Sequence, residues 1–376
     1  MKLGTAMSAD GSVRLFLGGD LMTGRGIDQI LPHPSSPELY ESWVRDAGDY
    51  VALAERVSGP IPRGAPFDYV WGDALAELER QQPALRIVNL ETSITRSARH
   101  APAKGIHYRM HPDNLPCLTA AGIDCCVLAN NHVLDWGREG LIETLAVLER
   151  AGIAVAGAGR DDAEAARPAV LTAGAGRRLE VFACGVGSSG IPANWAAAPE
   201  RPGVQYVPDC SRASVDQLVG WIVDRHVDGA LVLASLHWGG NWGYAVPDEH
   251  VRLAHRLVDE AGVHLVHGHS SHHPLGIEVY RDRLILYGCG DLLNDYEGIS
   301  GYESFRSDLT AMYFPELDAR TGELTALVVV PVQIRRLRLN RPAPEDAAWL
   351  AERLGAQSRR FGVGFAERDG RLQADW

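Results

Sequence analysis

The sequence predicts an α/β layered fold whose N-terminal portion is parallel. Short apolar runs of strand length alternate with stretches of helical spacing along the chain. Several of those runs end in Gly, Asp, Asn or His clusters. The chain is 376 residues long, 46% hydrophobic and 22% charged, which is the composition of a soluble globular protein with a sizeable core.

The elements follow in order. Residues 13–17 form a first apolar run, a buried strand ending in Gly18-Gly19-Asp20. Residues 31–66 are rich in Pro, Gly and Ser around an amphipathic patch at 50–57, which reads as an insertion or lid. Helical spacing at 71–78 precedes a strand at 84–88 that ends in Asn89-Leu90-Glu91. A third strand, 124–128, ends in Asn130-Asn131-His132. Leu141, Leu145 and Leu148 lie on one face of a helix over 140–151, stopped by Gly152. The second half repeats this grammar. A helix over 215–227 leads to a strand at 230–236 ending in His237-Trp238-Gly239-Gly240. Pro247 opens a helix with Val251, Ala254, Leu257 and Val258 on its apolar face, and Gly262 closes it. A strand at 263–266 ends in His267-Gly268-His269. Strands at 276–280 and 284–287 flank the Arg281-Asp282-Arg283 turn, strand-like stretches follow at 310–314 and 324–337, and a last helix spans 344–357. The segment 186–210, with Trp195, Pro202 and Pro208, reads as a second loop over the strand ends. The predicted domain covers 10–340, with 341–376 as a C-terminal helix and tail packed on it.

Composition excludes several functions. Lys and Arg number 36 against 48 Asp and Glu, a net charge of −12, which argues against a nucleic-acid backbone or an anionic membrane as partner. The N-terminus offers no signal-peptide core, and no apolar run approaches the roughly 18 residues of a membrane span, so no membrane anchor is expected. Six cysteines without a CxxC pair fit a reduced, cytoplasmic chain. A homo-oligomer stays open.

The chemistry sits at the predicted strand ends. They carry Asp20, Glu91, Asn131-His132, His237 and the cluster His267, His269 and His272. In an α/β sheet the carboxyl ends of strands converge on the ligand crevice, so these distant residues meet. Nine of the fourteen histidines lie between 226 and 273 (His226, His237, His250, His255, His264, His267, His269, His272 and His273). Carboxylates bridge cations and imidazole suits transition metals. Two ions about 3.5–4 Å apart generate hydroxide at neutral pH and clamp an oxyanion. His250 and His255 read as lying on the solvated side of their helix, and His226 as capping a helix end. Arg25 and Arg109 are candidates for holding an anionic group by bidentate contacts, against the competing reading of a structural salt bridge.

Together, Gly19-Asp20-Leu21-Met22 with Arg25, Asn89-Leu90-Glu91, Asn130-Asn131-His132 with Asp135 and Gly137, His237-Trp238-Gly239, and the His-rich turn around Gly268 before Ile277-Glu278-Val279-Tyr280 resemble the CapA family of capsule and poly-γ-glutamate biosynthesis, which is similar to calcineurin-like metallophosphoesterases. The resemblance spans about 13–295. It implies a four-layer α/β/β/α metallophosphoesterase-like sandwich with a dinuclear site for two divalent ions, Mn, Fe or Zn. Carried over, Asp20 ligates one metal, Glu91 bridges, Asn131 is an amide ligand, and His237 is a ligand. His132 serves the leaving group, oriented by Asp135. The sequence departs from the family pattern in four places. Asp20-Leu21-Met22 lacks the histidine of ordinary phosphoesterases. The closing turn reads Gly268-His269-Ser270-Ser271-His272-His273-Pro274, so His269 or Ser270 aligns with the first ligand position, and imidazole chemistry favours His269 with His272, His267 in reserve. Asn241 stands where the family has an acidic residue. Gly290-Asp291 adds a carboxylate beside the site, so Asn241 and Asp291 join the candidate substrate contacts.

The resulting expectation is a metal-dependent hydrolase whose metal-bridging hydroxide attacks a small anionic or glutamyl-type substrate, a phosphoester or a γ-glutamyl amide. The alternative is a non-catalytic or polymer-handling subunit of poly-γ-glutamate or capsule biosynthesis.

Overall fold

The structure, a computed structural model, describes residues 11–102 and 104–376. The N-terminal stretch read as lacking a signal core, and Asp10 at the start of the predicted domain, lie outside the described residues. Among these residues, ten strands form one mixed sheet and seven a second.

The layering follows from which way successive side chains point. Along the strand Ser12–Leu21, Val13, Leu15 and Leu17 enter one apolar cluster while Phe16 and Leu21 enter another. Leu85–Leu90 and Cys125–Val127, parallel to it, divide the same way: Ile87, Cys125 and Val127 on one face, Val88, Leu90 and Cys126 on the other. In the second sheet, Val181, Leu233 and Leu265 join the cluster shared with Leu15 and Leu17, while Phe182, Val232 and Val266 face away into a third. The shared cluster is therefore the space between the two sheets. Strands buried on both faces carry no polar–apolar alternation, which is why they read as continuous apolar runs.

Helices cover the two outer faces. Leu78 of Ala74–Gln81 and Leu141, Leu145 and Leu148 of Gly137–Arg150 pack on the first sheet. Val215, Leu218 and Ile222 of Arg212–Val223, with Leu253, Ala254 and Leu257 of Asp248–Ala261, pack on the second. The result is the α/β/β/α sandwich that the resemblance implies. Pro344–Ser358 sends Leu350 and Leu354 into the inter-sheet cluster. Beyond it, Gly364–Arg368 and Arg371–Asp375 form a hairpin on the first sheet's edge.

Two stretches differ from expectation. The expected lid at 31–66 contributes the helix Gly48–Ser58 to the outer layer, with Tyr50, Val51 and Ala54 buried. In 186–210, Ile191, Trp195 and Val204 join the first sheet's outer cluster, which ties that segment down. A strand absent from the sequence reading, Arg178–Val186, pairs with Leu231–His237 in parallel at the heart of the second sheet.

The site depends on one close approach. Asp20 N–H donates to Gly290 O at 3.0 Å, and a Cβ at Gly19 would lie 1.8 Å from that same oxygen. Only glycine at 19 lets Asp20 and Asp291 stand in register on neighbouring parallel strands.

Candidate metal centre

Each sheet delivers half of the site. From the first come Asp20 at the end of Ser12–Leu21, Glu91 just past Leu85–Leu90, and the loop 129–135 after Cys125–Val127. From the second come His237, closing Leu231–His237, and His269, closing Leu265–His269, paired in register. All of these but the half-buried Asn131 are buried.

Asn89 ties the two carboxylates together. Its Nδ2 donates to Asp20 Oδ1 at 2.7 Å and Glu91 Oε2 at 3.1 Å. Asn130 Nδ2 donates in turn to Asn89 Oδ1 at 2.9 Å, and its Oδ1 accepts from the backbone of His132 and Val133, which shapes the loop presenting Asn131 and His132. Asn131 Oδ1 lies 3.2 Å from His237 Nε2, and Glu91 Oε1 lies 3.8 Å from both His132 Nε2 and His237 Nε2. His269 Nδ1 sits 2.8 Å from His237 Nδ1 and 3.8 Å from Asp20 Oδ1. Ser270 takes a left-handed backbone, φ 97°, and its N–H donates to Asp20 Oδ2 at 3.2 Å.

The tautomer of His269 can be derived. Gly18 O only accepts, so His267 donates to it through Nε2, at 2.9 Å. Burial lowers the His267 pKa to about 4, so its Nδ1 is bare and accepts from Ser235 Oγ at 3.0 Å. The Ser235 hydroxyl, its proton committed, then accepts from His269 Nε2 at 2.9 Å. That leaves His269 Nδ1 as the bare, accepting nitrogen, facing His237 Nδ1 and Asp20. His267, held in reserve as a ligand, thus has both nitrogens engaged and fastens one sheet to the other instead.

Electrostatics agree with a cation site. Burial, and then the Asp291 charge, raise the Asp20 pKa to about 7, and burial and Asp20 raise Glu91 well above the usual range. Burial drives His237 and His269 well below the ordinary imidazole value, leaving both neutral. Crowded buried carboxylates and neutral imidazoles with lone pairs facing inward form a set that divalent transition ions satisfy. Asp20, His237 and His269 place candidate ligand atoms within 4.8 Å of one another, and so do Asp20, His272 and Asp291. The residues present therefore fit two ions sharing Asp20. Asp291 moves from the expected substrate contacts into this set: its Oδ1 meets His272 Nδ1 at 2.8 Å and its Oδ2 accepts from Asn294. Burial opposes charge on His272, yet Asp291 prevails and its pKa is raised.

Beside these groups stands the dyad His132 and Asp135. His132 Nδ1 donates to Asp135 Oδ2 at 2.7 Å. Lys104, which sequence reasoning missed, inserts Nζ among Asp135 Oδ1, the Asn131 carbonyl and His132. Burial alone would raise Asp135, but His132 and Lys104 bring it below the usual range, while burial lowers His132 to about 4.

Both arginines depart from the expected anion-holding role. Arg25 is 3% exposed, paired with Asp295 and Glu41, and stacked over Tyr50 at 3.9 Å. Arg109 donates to the carbonyls of Ser97 and Ser36 and lies 3.8 Å above Trp136. The structural salt bridge and its uncharged counterpart win at these positions because the Arg25 guanidinium is paired with two carboxylates and packed against Tyr50 and Tyr108, and that of Arg109 is spent on two carbonyls and Trp136. Asn241 is exposed at the rim, its carbonyl accepting from His272 N–H at 2.9 Å.

The sequence profile described as bacterial capsule synthesis protein PGA_cap matches residues 14–296. The chain belongs to the PGA_cap family. Asp20, Glu91, Asn131, His237 and Asp291 all fall inside the PGA_cap match. The chain is 47% identical over 361 residues to a "Probable polyglutamine synthesis accessory protein" of Mycobacterium tuberculosis, covering 96% of this chain and 95% of that one. It is 24% identical over 285 residues to the "PGA biosynthesis protein CapA" of Bacillus subtilis, covering 74% of this chain and 62% of the relative. Among solved structures, a phosphatase of Mycoplasma pneumoniae aligns with a TM-score of 0.46 at 11% identity, over 89% of this chain and 96% of that one. No helix among the described residues is long and apolar enough to cross a membrane.

Proposed function

We propose that this chain is a metal-dependent hydrolase acting on an anionic substrate, a phosphoester or a γ-glutamyl-type amide. The observation that carries the reading is the convergence of Asp20, Glu91, Asn131, His237, His269, His272 and Asp291, from both sheets, around one buried space beside the His132–Asp135 dyad. Asp20, His237 and His269 would hold one ion and Asp20, His272 and Asp291 the other, with Glu91 and Asn131 completing the set. Bound there, such ions activate water and neutralise charge that develops on the substrate. The chain's own groups do the rest. Asp135 accepts from Nδ1 of His132, so Nε2 is the atom at which His132 holds or moves a proton, facing the space beside Glu91. Lys104 keeps Asp135 ionised and fixes the Asn131 backbone. With Arg25 and Arg109 committed elsewhere, substrate charge falls to the centre itself.

The test is metal analysis of the purified protein, followed by phosphoester and γ-glutamyl amide panels on the metal-loaded form. Turnover lost in Glu91→Ala supports the reading, and mass spectrometry of poly-γ-glutamate fragments assigns the amide branch. A loaded protein inert on both panels overturns it. A second reading, a non-catalytic part in polymer synthesis, is favoured by the word "accessory" in the name of the mycobacterial relative. Absence of near-stoichiometric metal would decide for that reading.

A further inference from the structure

A separate cluster of metal-binding side chains lies on the outer helical layer of the second sheet. Cys210 precedes the helix Arg212–Val223, and Glu249 and His250 stand in the first turn of Asp248–Ala261. Their candidate ligand atoms all lie within 4.8 Å of one another. His250, expected on the solvated side of its helix, is 3% exposed. Its ring stacks on Trp238 with centroids 4.4 Å apart and planes 2° from parallel. It also fits against Gly239, where a Cβ would lie 2.8 Å from His250 Cε1. Among the described residues neither ring nitrogen has a hydrogen-bond partner. The stacking fixes the imidazole's orientation, and a thiol and a carboxylate stand within ligand distance of it, so three candidate ligand atoms converge on one point at the groove. A groove of about 1080 Å³ opens beside it, lined by Ser188, Cys210, Arg212, Glu249 and Arg252 among others.

We propose that Cys210, Glu249 and His250 bind one zinc ion, with the fourth position open to the groove. Sulfur with imidazole selects zinc over the hard cations, and three protein ligands with one open position are a tetrahedral zinc arrangement. Burial raises the free Cys210 thiol to about 11, so binding forms the Sγ–zinc bond and releases that proton to solvent. No electrons are exchanged. The ion clamps the turn at 208–211 and the start of Asp248–Ala261 against Trp238–Gly239, directly after His237. The inference does not rest on the hydrolase reading.

Cobalt(II) added to the metal-stripped, full-length protein is the probe. The expected result is a thiolate-to-cobalt charge-transfer band with the intensity of one thiolate-bound cobalt per chain, lost in Cys210→Ser. Asp20→Asn, which disables the other centre, keeps the band, and there it saturates at one equivalent. Glu249→Gln alters an exposed residue and leaves folding intact, as circular dichroism would show, and in the Asp20→Asn background it weakens zinc binding at least tenfold. The proposal is overturned if wild type gives no thiolate band, if Cys210→Ser keeps it, or if Glu249→Gln in that background binds zinc as tightly as Asp20→Asn alone.

Discussion

His269 Nε2 donates to Ser235 Oγ across 2.9 Å, between neighbouring parallel strands, and through that bond a serine decides which nitrogen of a candidate ligand is free. The direction is inherited from Gly18 O by way of His267. Removing the hydroxyl leaves the His269 tautomer undetermined while all other donors stay in place. Ser235→Ala is expected to lower divalent-metal affinity about 10–100-fold with the fold retained, as for other residues that orient a ligand from behind. Isothermal titration calorimetry checks this, and an unchanged affinity refutes the derived tautomer.

Asp20 sets a pH dependence. Its folded, metal-free pKa is raised from 3.8 to about 7, so between those values the folded state binds more protons than the unfolded chain. The metal-free protein therefore loses stability as pH rises from about 4 to about 7, by on the order of 1.4 kcal/mol per unit of pKa difference. A divalent ion takes the proton's place, so manganese is expected to raise Tm more at pH 7.5 than at pH 5. Melting curves with and without metal at both values test the sign.

The dyad separates proton handling from metal retention. His132→Asn is expected to lower kcat about 10²–10⁴-fold while metal content stays at the wild-type level, because His132 is not among the candidate ligands. Lys104→Met should also lower kcat, and should cost stability by leaving the buried Asp135 without its cationic partner, held by His132 and the Tyr108 N–H. Elemental analysis paired with single-turnover rates reads both effects. If His132→Asn lost metal and rate together, the assigned role would fail.

The arginines make a contrast. Arg25→Gln strips Glu41 and Asp295 of their buried partner, and an unfolding cost of about 3–5 kcal/mol is expected. Arg109→Ala removes two bonds to carbonyls and a ring contact, with KM unchanged. Urea titration measures the first and initial rates the second. A KM raised tenfold in Arg109→Ala would restore it to the substrate site.

Much of this was legible from sequence. Polar residues at the ends of apolar runs located Asp20, Glu91, Asn131, His237 and His269, because strand ends of both sheets converge in this architecture. What escaped was information that depends on burial and pairing. Lys104 follows a Pro-containing loop, where nothing local marks it as the partner of Asp135. Arg25 and Arg109 carried the right charge, and only the packing of Tyr50, Tyr108 and Trp136 around them revealed that it was spent. Asp291 pairs with Asp20 across 271 positions of chain, a relationship of register rather than motif. The strand Arg178–Val186 did leave a signal, the apolar run from Val181 to Val186 after Gly174 and Gly176, and its exposed start at Arg178 obscured it.

The division of the candidate ligands between two sheets has a consequence for biosynthesis. Asp20, Glu91 and Asn131 leave the ribosome long before His237, His269, His272 and Asp291. A nascent chain that ends soon after Asn131 holds only oxygen donors, Asp20, Glu91 and Asn131, which on their own suit magnesium or calcium as well as a transition ion, and Asp291 joins the same sheet late. The nitrogen donors that discriminate among metals arrive with the second sheet, so in the proposed centre selection of the ion would be an event of late folding, made when the sheets close on each other through His267 and Gly18.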